Sequence, residues 1–185
     1  MTYNIVPTTP AGERVIAAAS DLIDPFRARA DAADRANEIC GENYTDMQRS
    51  GVAAAFVPEE LGGFGLRSMH DWILTIATLA KGDGSAAIAI SMHLSATRGL
   101  AALYRNSEPG SPPHLRAQTI LEAVAKGEVL ICSTTTERGT DNLHPLTEAH
   151  QHEDGWRLEG TKYFVTMSPL ATHVATNVRM RDADG

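Results

Sequence analysis

The chain has 185 residues, enough for one core or for two smaller cores that share an interface, because domains commonly contain about 100 to 150 residues. Apolar residues make up 43% and charged residues 21%, which is a globular composition and excludes a fibrous or wholly disordered chain. The formal net charge of −7 disfavours nucleic acid as a partner, since nonspecific binding to phosphates needs clustered Lys and Arg.

The cysteines and the lack of apolar runs bear on the compartment. Cys40 and Cys132 are far apart and form no Cys-x-x-Cys motif, which favours a reducing environment over a disulfide scaffold. Residues 1–10 lack a basic start followed by an apolar run, and no window approaches the run of about 20 apolar residues that spans a membrane. We therefore expect a cytoplasmic protein without a membrane partner.

The first helices follow from apolar periodicity. Apolar residues recur at three- and four-residue steps from Gly12 to Ala36, which predicts an amphipathic helix. Pro25 predicts a kink or a break near Asp24, because proline lacks the backbone donor. A second, short helix is predicted from Glu42 to Ser50, and Gly51 is its natural stop.

Three further helices complete a predicted bundle. The helix from Ser68 to Lys81 would begin at a Ser68 cap and pack through one stripe of side chains: Met69, Trp72, Ile73, Ile76 and Leu79 or Ala80. The stretch from Ala86 to Arg105 is apolar nearly all round, so we expect it to be the buried helix of the bundle. A loop rich in proline separates it from a last helix, His114 to Lys126.

From Glu128 onward, short runs separated by Gly and Asp replace helical periodicity. Strands are predicted at Glu128 to Thr135, Thr147 to His152, Trp156 to Leu158, Tyr163 to Met167 and Thr172 to Met180. The fold class is thus α+β, with an N-terminal all-α helical bundle (residues 1–126) followed by part of an antiparallel β-barrel domain (residues 127–185).

Turns and edges of this second domain can also be predicted. Asp154-Gly155 indicates a type I′ hairpin turn, which needs positive φ at both central residues. Residues 181–185 have similar turn chemistry. The strand Thr172 to Met180 is expected to lie unpaired at an edge, where it would template association of the chain.

Four motifs together resemble those of acyl-CoA dehydrogenases. Cys132-Ser-Thr-Thr-Thr-Glu137 is similar to the start of their Thr-Glu-Pro-Gly-x-Gly-Ser-Asp stretch, and Lys162-Tyr-Phe-Val-Thr166 to their Gly-x-Lys-x-(Trp/Phe)-Ile-Thr stretch. Upstream, Val57-Pro-Glu-Glu-Leu-Gly-Gly-Phe-Gly65 and Asp83-Gly-Ser85 match two further motifs of that family. A threonine-rich strand alone would equally reflect β-propensity, whereas the spaced pair of motifs favours a flavin site.

The resemblance implies a bound flavin, FAD or alternatively FMN, and assigns residues to it. Ser133, Thr135 and Thr136 would lie near the pyrimidine edge of the flavin, while Phe164 and Thr166 would cover one face of its ring. Two residues would lie on the substrate side: Thr140, in the position of the family's serine beside the acyl thioester, and His93, on the helix that lines the acyl pocket.

The reaction implied is the α,β-dehydrogenation of an acyl thioester. In the family the acidic base lies in the C-terminal portion, so no residue of this chain is assigned as catalytic. The segment from Glu137 to Asp141 is shorter than its counterpart and lacks the proline, which opens a second hypothesis, a flavin-dependent monooxygenase with His93 as proton donor. For His93 the structural alternative is a hydrogen-bonded histidine in a buried helix. A third hypothesis is an inactive fragment or assembly module.

The remaining expectations concern partners and metals. Family members continue for about the same length again, so the resemblance implies that only an amino-terminal portion is present. Its partners would be an acyl-CoA or another small-molecule substrate, and either further copies of the chain in a homo-oligomer or a complementing C-terminal half. His144, His150 and His152 lie close in sequence, but metal ligands need fixed spacing and converging geometry, so no metal site is predicted.

Overall fold

The structure, a computed structural model, describes residues 5–181, and the turn predicted over residues 181–185 falls almost entirely outside them. The helices within that range are α1 (Pro10–Ser20), α2 (Ile23–Ala36), α3 (Gly41–Arg49), α4 (Met69–Ala80), α5 (Gly84–Asn106) and α6 (Pro112–Ala125). Two 3₁₀ helices lie between α3 and α4, at Val52–Ala54 and Glu59–Leu61. The strands are β1 (Ile131–Thr134), β2 (Glu148–His152), β3 (Gly155–Glu159), β4 (His173–Thr176) and β5 (Arg179–Arg181).

The break predicted in the first helix is present, slightly before its expected position. It falls at Asp21 and Leu22, between α1 and α2, rather than at Asp24. Pro25 consequently lies in the first turn of α2, where the missing N–H would have no helical partner in any case.

A buried carboxylate joins α1 to α4. Asp71 accepts hydrogen bonds from the backbone N–H of Thr8 (2.8 Å) and the hydroxyl of Thr9 (2.7 Å), and the Thr9 hydroxyl in turn accepts from the N–H of Gly12 at the start of α1. Burial alone would raise the pKa of Asp71, but these hydrogen bonds outweigh it and lower the pKa. A side chain at position 12 would collide with the Asp71 carboxylate, so glycine is required for the close approach of the two helices.

The buried face of α4 differs from the predicted stripe. Ser68 caps the helix as expected and accepts from the N–H of Asp71 at 3.2 Å. However, Ile73 is 60% exposed and Met69 is also exposed, whereas the inward face carries Asp71, Thr75, Thr78 and Leu79. The predicted stripe is confirmed for Trp72, Ile76 and Leu79, which lie in or against the core, and is wrong for Met69 and Ile73. Polar residues also lie on the inward face because they find hydrogen-bond partners there, such as the carbonyl of Asp71 for the Thr75 hydroxyl.

Helix α5 is the central helix of the core, and one side of it is open. Asp83 caps its start by accepting from the N–H groups of Ser85 and Ala86. Its buried face carries mainly small and aliphatic residues, while Ile88 is 67% exposed, so the helix is not buried all round. By length and composition α5 could also cross a membrane, which corrects the expectation that no window approaches such a span. Because α5 packs against α4, α6 and β1, its apolar composition is explained by its position in the core.

Two groups of buried residues make up the interior, and both include residues from beyond α6. Leu130 and Met167 join the larger cluster of α1 to α5, and Val129 and Ile131 join the smaller cluster between α5 and α6. The division into domains at residues 126 and 127 therefore stays a prediction, with β1 packed directly on the helices.

The strands form two small sheets. In the first, β1 pairs with β4 in parallel, with Ile131 opposite His173. In the second, β2 pairs with β3 antiparallel and with β5 in parallel. The predicted fold class, a helical domain followed by the start of a β-domain, is confirmed, and the predicted antiparallel pairing holds for β2 and β3.

Three local predictions in this region were wrong. Residues 163–167 form no strand, because Phe164 and Met167 have positive φ values that interrupt extended backbone. The segment Thr172 to Met180 forms two short strands in place of the single predicted strand; within residues 5–181 each is paired on one side and lies at the edge of its sheet. The hairpin turn contains Glu153 and Asp154, neither of which has positive φ, so the turn is not of type I′.

Candidate functional site

His93 lies at the junction of the helices with β1. Its side chain is fully buried, its Nδ1 accepts the N–H of Ile131 at 3.0 Å, and its Nε2 donates to the carbonyl oxygen of Ala53 at 2.9 Å. Because a backbone N–H can only donate, the bond to Ile131 fixes this neutral tautomer. Burial lowers the pKa of His93 to about 4. Neither ring nitrogen is free for substrate, so this arrangement favours the structural role over the predicted substrate contact and proton donation.

Two hydrogen bonds bring the two predicted flavin motifs together. The Thr134 hydroxyl donates to the carbonyl oxygen of Tyr163 at 2.8 Å, and the Tyr163 N–H donates to the carbonyl oxygen of Thr136 at 3.0 Å. The backbone of the second motif thus continues beside the end of β1 without forming a strand. This pairing places Phe164 next to Thr136, and both line a cavity of about 240 Å³.

Phe164 is held with its ring outward. Its φ of 55° is uncommon for a bulky residue, and its side chain is 82% exposed. The N–H of Thr166 donates back to the carbonyl oxygen of Phe164 at 2.9 Å, which closes a tight turn around it. An exposed aromatic ring in a constrained backbone is a surface on which a planar ring system can stack.

The threonine-rich strand presents free hydroxyl groups. Ser133 is half-buried, Thr135 and Thr136 are exposed, and their side chains form no hydrogen bond with any residue between 5 and 181. Thr166 is separated from this group, because it lines a different cavity beside α2 and α5. The structure therefore brings Thr136 and Phe164 together and does not bring Thr166 to the same cavity. All five assignments to flavin stay predictions.

Glu137 anchors the shortened segment that follows β1. Its carboxylate accepts from the N–H of Thr147 (2.8 Å), from the Thr147 hydroxyl and from the N–H of Leu146, and it pairs with the Lys162 ammonium at 3.0 Å. These contacts lower the pKa of Glu137 to about 2. The hydrogen bond from the Thr147 hydroxyl has the largest effect, and the bonds from Leu146 and Lys162 add to it. Glu137 is thus a buried, ionised anchor for the loop and is not available as an acid or base.

The rest of that loop folds on itself. Asp141 accepts from the N–H groups of Leu143 and His144 and from the His144 ring, which lowers the Asp141 pKa. The Thr140 hydroxyl donates to the carbonyl oxygen of His144 at 2.6 Å. The contact of Thr140 with substrate stays a prediction, but its hydroxyl hydrogen is already in use.

An apolar cavity of about 380 Å³ lies between α5, α6 and the sheet of β1 and β4. Its lining includes Ala96, Leu100 and Leu103 of α5 and Ile131 of β1. Side chains alternate along a strand, so Ser133 faces the same side as Ile131.

Sequence reasoning missed Arg138 and Tyr163. Both line the cavity of Thr136 and Phe164, and the Arg138 guanidinium lies 5.8 Å from the centre of the Tyr163 ring. Arg138 stands where the family motif has proline, so the departure from the motif was the signal. Among residues 5–181 no group of His, Cys, Asp and Glu side chains is arranged to hold a metal ion.

A family model for the acyl-CoA dehydrogenase N-terminal domain matches residues 12–108, about half of the chain. The chain belongs to the acyl-CoA dehydrogenase family. The prediction made from the four motifs is thereby confirmed, and the acyl-CoA dehydrogenase fold accounts for the helical domain followed by the start of a β-domain.

Among its relatives in this family are nitrososynthases. The L-evernosamine nitrososynthase of a Micromonospora species is 34% identical over 97% of this chain and 41% of the relative. The solved nitrososynthase of Micromonospora carbonacea var. africana has a TM-score of 0.86 at 32% identity, covering all of this chain and 46% of that one. KijD3, solved with FMN and dTDP-3-amino-2,3,6-trideoxy-4-keto-3-methyl-D-glucose, has a TM-score of 0.86 at 28% identity, covering 97% and 43%.

These comparisons bear on cofactor and length. The chain spans less than half the length of these relatives. FMN is bound in the KijD3 structure, so the flavin expected from the motifs is confirmed for this acyl-CoA dehydrogenase-like flavoprotein fold, with both FMN and FAD allowed. The KijD3 complex also contains a small-molecule sugar nucleotide.

Proposed function

We propose that this chain forms the flavin-holding amino-terminal part of an enzyme that oxidises the amino group of a nucleotide-linked sugar with reduced flavin and O₂. The observation that carries the proposal is the similarity to the L-evernosamine nitrososynthase, which extends over 97% of the chain and so includes both flavin motifs. The proposal takes up the monooxygenase hypothesis in preference to acyl thioester dehydrogenation.

The loop after β1 supports this choice. An acyl-CoA dehydrogenase uses the corresponding loop on its substrate side, whereas here Glu137 and Asp141 fold it back on itself and the Thr140 hydroxyl is engaged by His144. A shortened, closed loop leaves no free hydroxyl in the position of the family's serine. It is consistent with a substrate other than an acyl thioester.

The residues present fit a flavin. Free hydroxyls on Ser133, Thr135 and Thr136 can bond the polar edge of the ring system, and the exposed Phe164 ring can stack on its face. Reduced flavin supplies two electrons to O₂, so that one oxygen atom enters the amine to give a hydroxylamine and the other leaves as water. The apolar cavity between α5 and β1 suits a deoxygenated sugar ring, which is less polar than an ordinary hexose.

The test uses the polypeptide that carries these residues, purified and supplied with reduced FMN, O₂ and a dTDP-linked amino sugar. Mass spectrometry should show a product that has gained oxygen on its nitrogen. The same protein is incubated in parallel with oxidised FAD and a saturated acyl-CoA. Loss of two hydrogen atoms from the acyl-CoA, with no oxygenated sugar, would overturn the proposal in favour of dehydrogenation.

A further inference from the structure

A second cavity, distinct from the one beside Phe164, lies where α2 and α3 meet the start of α5. It has a volume of about 330 Å³, within the range of small-molecule sites, and we call it the Tyr44 cavity after the residue at its wall. Thr166 and Met167 also line it, so an occupant would lie beside the segment that follows Phe164.

The charges that line the Tyr44 cavity are all negative. Asp34, Glu38 and Asp83 contribute carboxylates, and no Lys, Arg or His among the described residues lines it. Arg29, which bonds Asn43 at the wall of the cavity, is already engaged, since it pairs with Asp46 at 2.7 Å and with Glu42 at 3.0 Å. Its guanidinium therefore does not neutralise the cavity.

The Asp83 carboxylate is held in place by the protein. One oxygen accepts the N–H groups of Ser85 and Ala86, and the other accepts the side-chain N–H of Asn43 at 3.0 Å. Asn43 is fully buried and its own oxygen accepts from Arg29. The chain from Arg29 through Asn43 to Asp83 fixes this acceptor at the wall of the cavity.

An unpartnered hydroxyl provides the independent observation that points to a ligand. Tyr44 is only 3% exposed, and its hydroxyl forms no hydrogen bond with any residue in the described range. Burial first, and then the nearby Asp83 carboxylate, raise its pKa, so the phenol stays protonated. Tyr44 lines the cavity together with Asp83 and Cys40. Its hydroxyl is therefore free to bond a water or a ligand in the cavity.

We infer that the Tyr44 cavity binds a small organic ammonium ion, whose N–H groups bond the Tyr44 oxygen and the wall carboxylate of Asp83. An amine is favoured over a metal ion, because no group of three or more metal-ligating side chains converges in residues 5–181. A protonated amine offers three donors to a site whose charged groups only accept. Tyr44 and Asp83, on which the amine would bind, are assigned no contact with flavin, so failure of amine binding would leave the proposed function untouched.

The test compares two sugars of the same ring that differ in one group. The chain is titrated with D-glucosamine and with D-glucose, at low salt and about pH 6, where the amine is protonated. Amide chemical shifts of Ser85 and Ala86 in NMR spectra report on the cavity. Glucosamine should bind with a dissociation constant in the millimolar range or below, and glucose should produce no saturable shift. Equal responses to the two sugars, or no response to glucosamine, would overturn the inference.

Two variants with matched controls locate the binding. Tyr44→Phe removes only the hydroxyl and should weaken glucosamine binding about tenfold, as expected for a hydrogen bond to a charged group. Asp34→Asn removes a rim charge at an exposed position that does not threaten folding, and should weaken binding about threefold. Tyr104→Phe and Asp31→Asn, which lie outside the cavity, should leave affinity unchanged. Glucosamine binding that is indifferent to both Tyr44→Phe and Asp34→Asn would place the ligand elsewhere and refute the assignment.

Discussion

At the scale of single residues, the His93 ring links two parts of the fold, the first 3₁₀ helix and β1, by hydrogen bonds. One nitrogen serves the 3₁₀ helix at Ala53 and the other serves the first residue of β1. Ala53 and Ile131 are both buried, so an apolar residue at position 93 would leave the Ala53 carbonyl and the Ile131 N–H without hydrogen bonds.

We therefore expect His93→Phe to lower the free energy of unfolding by about 2 to 4 kcal/mol, because the Ile131 N–H and the Ala53 carbonyl would each lose a partner. Urea unfolding followed by circular dichroism measures the change. His152→Phe, at an exposed position, is the control and should stay within about 0.5 kcal/mol of wild type. An unchanged unfolding free energy for His93→Phe would contradict the structural role and revive a contact with substrate.

The stability of the protein should also depend on pH through His93. Its pKa in the folded state is lowered to about 4, below the unfolded value near 6.5, so the unfolded chain binds the extra proton between these values. Stability is thus complete above about pH 6.5 and falls by about 3 kcal/mol as the pH drops toward 4.

Unfolding titrations at several pH values from 7 to 4 measure this slope, and His93→Gln, which cannot be protonated, should flatten it. Glu137 acts in a separate, more acidic window. Its folded pKa is lowered to about 2, so its stabilising contribution is present above its unfolded value near 4.5 and is lost only as the pH falls from there toward 2. A slope between pH 6.5 and 4.5 that survives in His93→Gln would show that another group is responsible.

At the scale of elements, the end of β1 and the turn at Phe164 act as one unit. The Phe164 ring has little packing of its own, being 82% exposed. Phe164→Ala should therefore weaken flavin binding about tenfold, the loss expected for an aromatic ring that is buried only by the ligand, while the unfolding free energy changes little. Quenching of flavin fluorescence measures the affinity, with Trp156→Ala on β3 as a control. Equal affinities for wild type and Phe164→Ala would remove Phe164 from the flavin site.

The contact between α1 and α4 gives a prediction that depends on space alone. Gly12→Ala should destabilise the protein by about 1 to 3 kcal/mol, because the new methyl group would collide with the Asp71 carboxylate and disturb its hydrogen bonds. Gly84→Ala, in the first turn of α5, meets no atom within 4 Å and should be neutral or slightly stabilising. Chemical denaturation of the two variants measures the difference in stability. Equal denaturation midpoints would contradict the close approach of Gly12 to the Asp71 carboxylate.

The elements that sequence could predict are those set by local chemistry. Periodicity and capping predicted the α-helices, including the Ser68 cap and a break near the start of α2, because these depend on neighbours in the chain, but they did not predict the two 3₁₀ helices. The burial of Asp71 on the inward face of α4 could not be predicted, since its partners Thr8 and Thr9 lie more than sixty residues away in the chain. The flavin motifs identified the family, yet the sequence could not show that positive φ at Phe164 and Met167 replaces the predicted strand.

At the scale of the whole molecule, the region after β1 leaves apolar side chains exposed to solvent. All five residues of β3 are exposed, and Trp156 and Leu158 present large apolar side chains on one face. The free strand edge expected at Thr172 to Met180 is still available in the described residues, since β4 and β5 are each paired on one side only, and the open face of β3 adds a second cause of association.

We expect the 185-residue chain to associate as its concentration rises, and Trp156→Lys to reduce this association by placing a charge on the open face. Light scattering over a series of concentrations measures the mass. Arg157→Lys, on the opposite face of β3, preserves charge and should behave as wild type. A monodisperse monomer at all concentrations would contradict this expectation.

The parallel pairing of β1 with β4 also has a consequence for the order of events during synthesis. Leu130, the residue before β1, bonds to Thr172, which lies 42 residues later. At ribosomal rates of about 5 to 20 residues per second, this partner is made roughly 2 to 8 s after β1. During that interval His93 is the one polar side chain of α5 bonded to β1 in the described structure, so the histidine would hold the nascent strand against the helices until the rest of its sheet arrives.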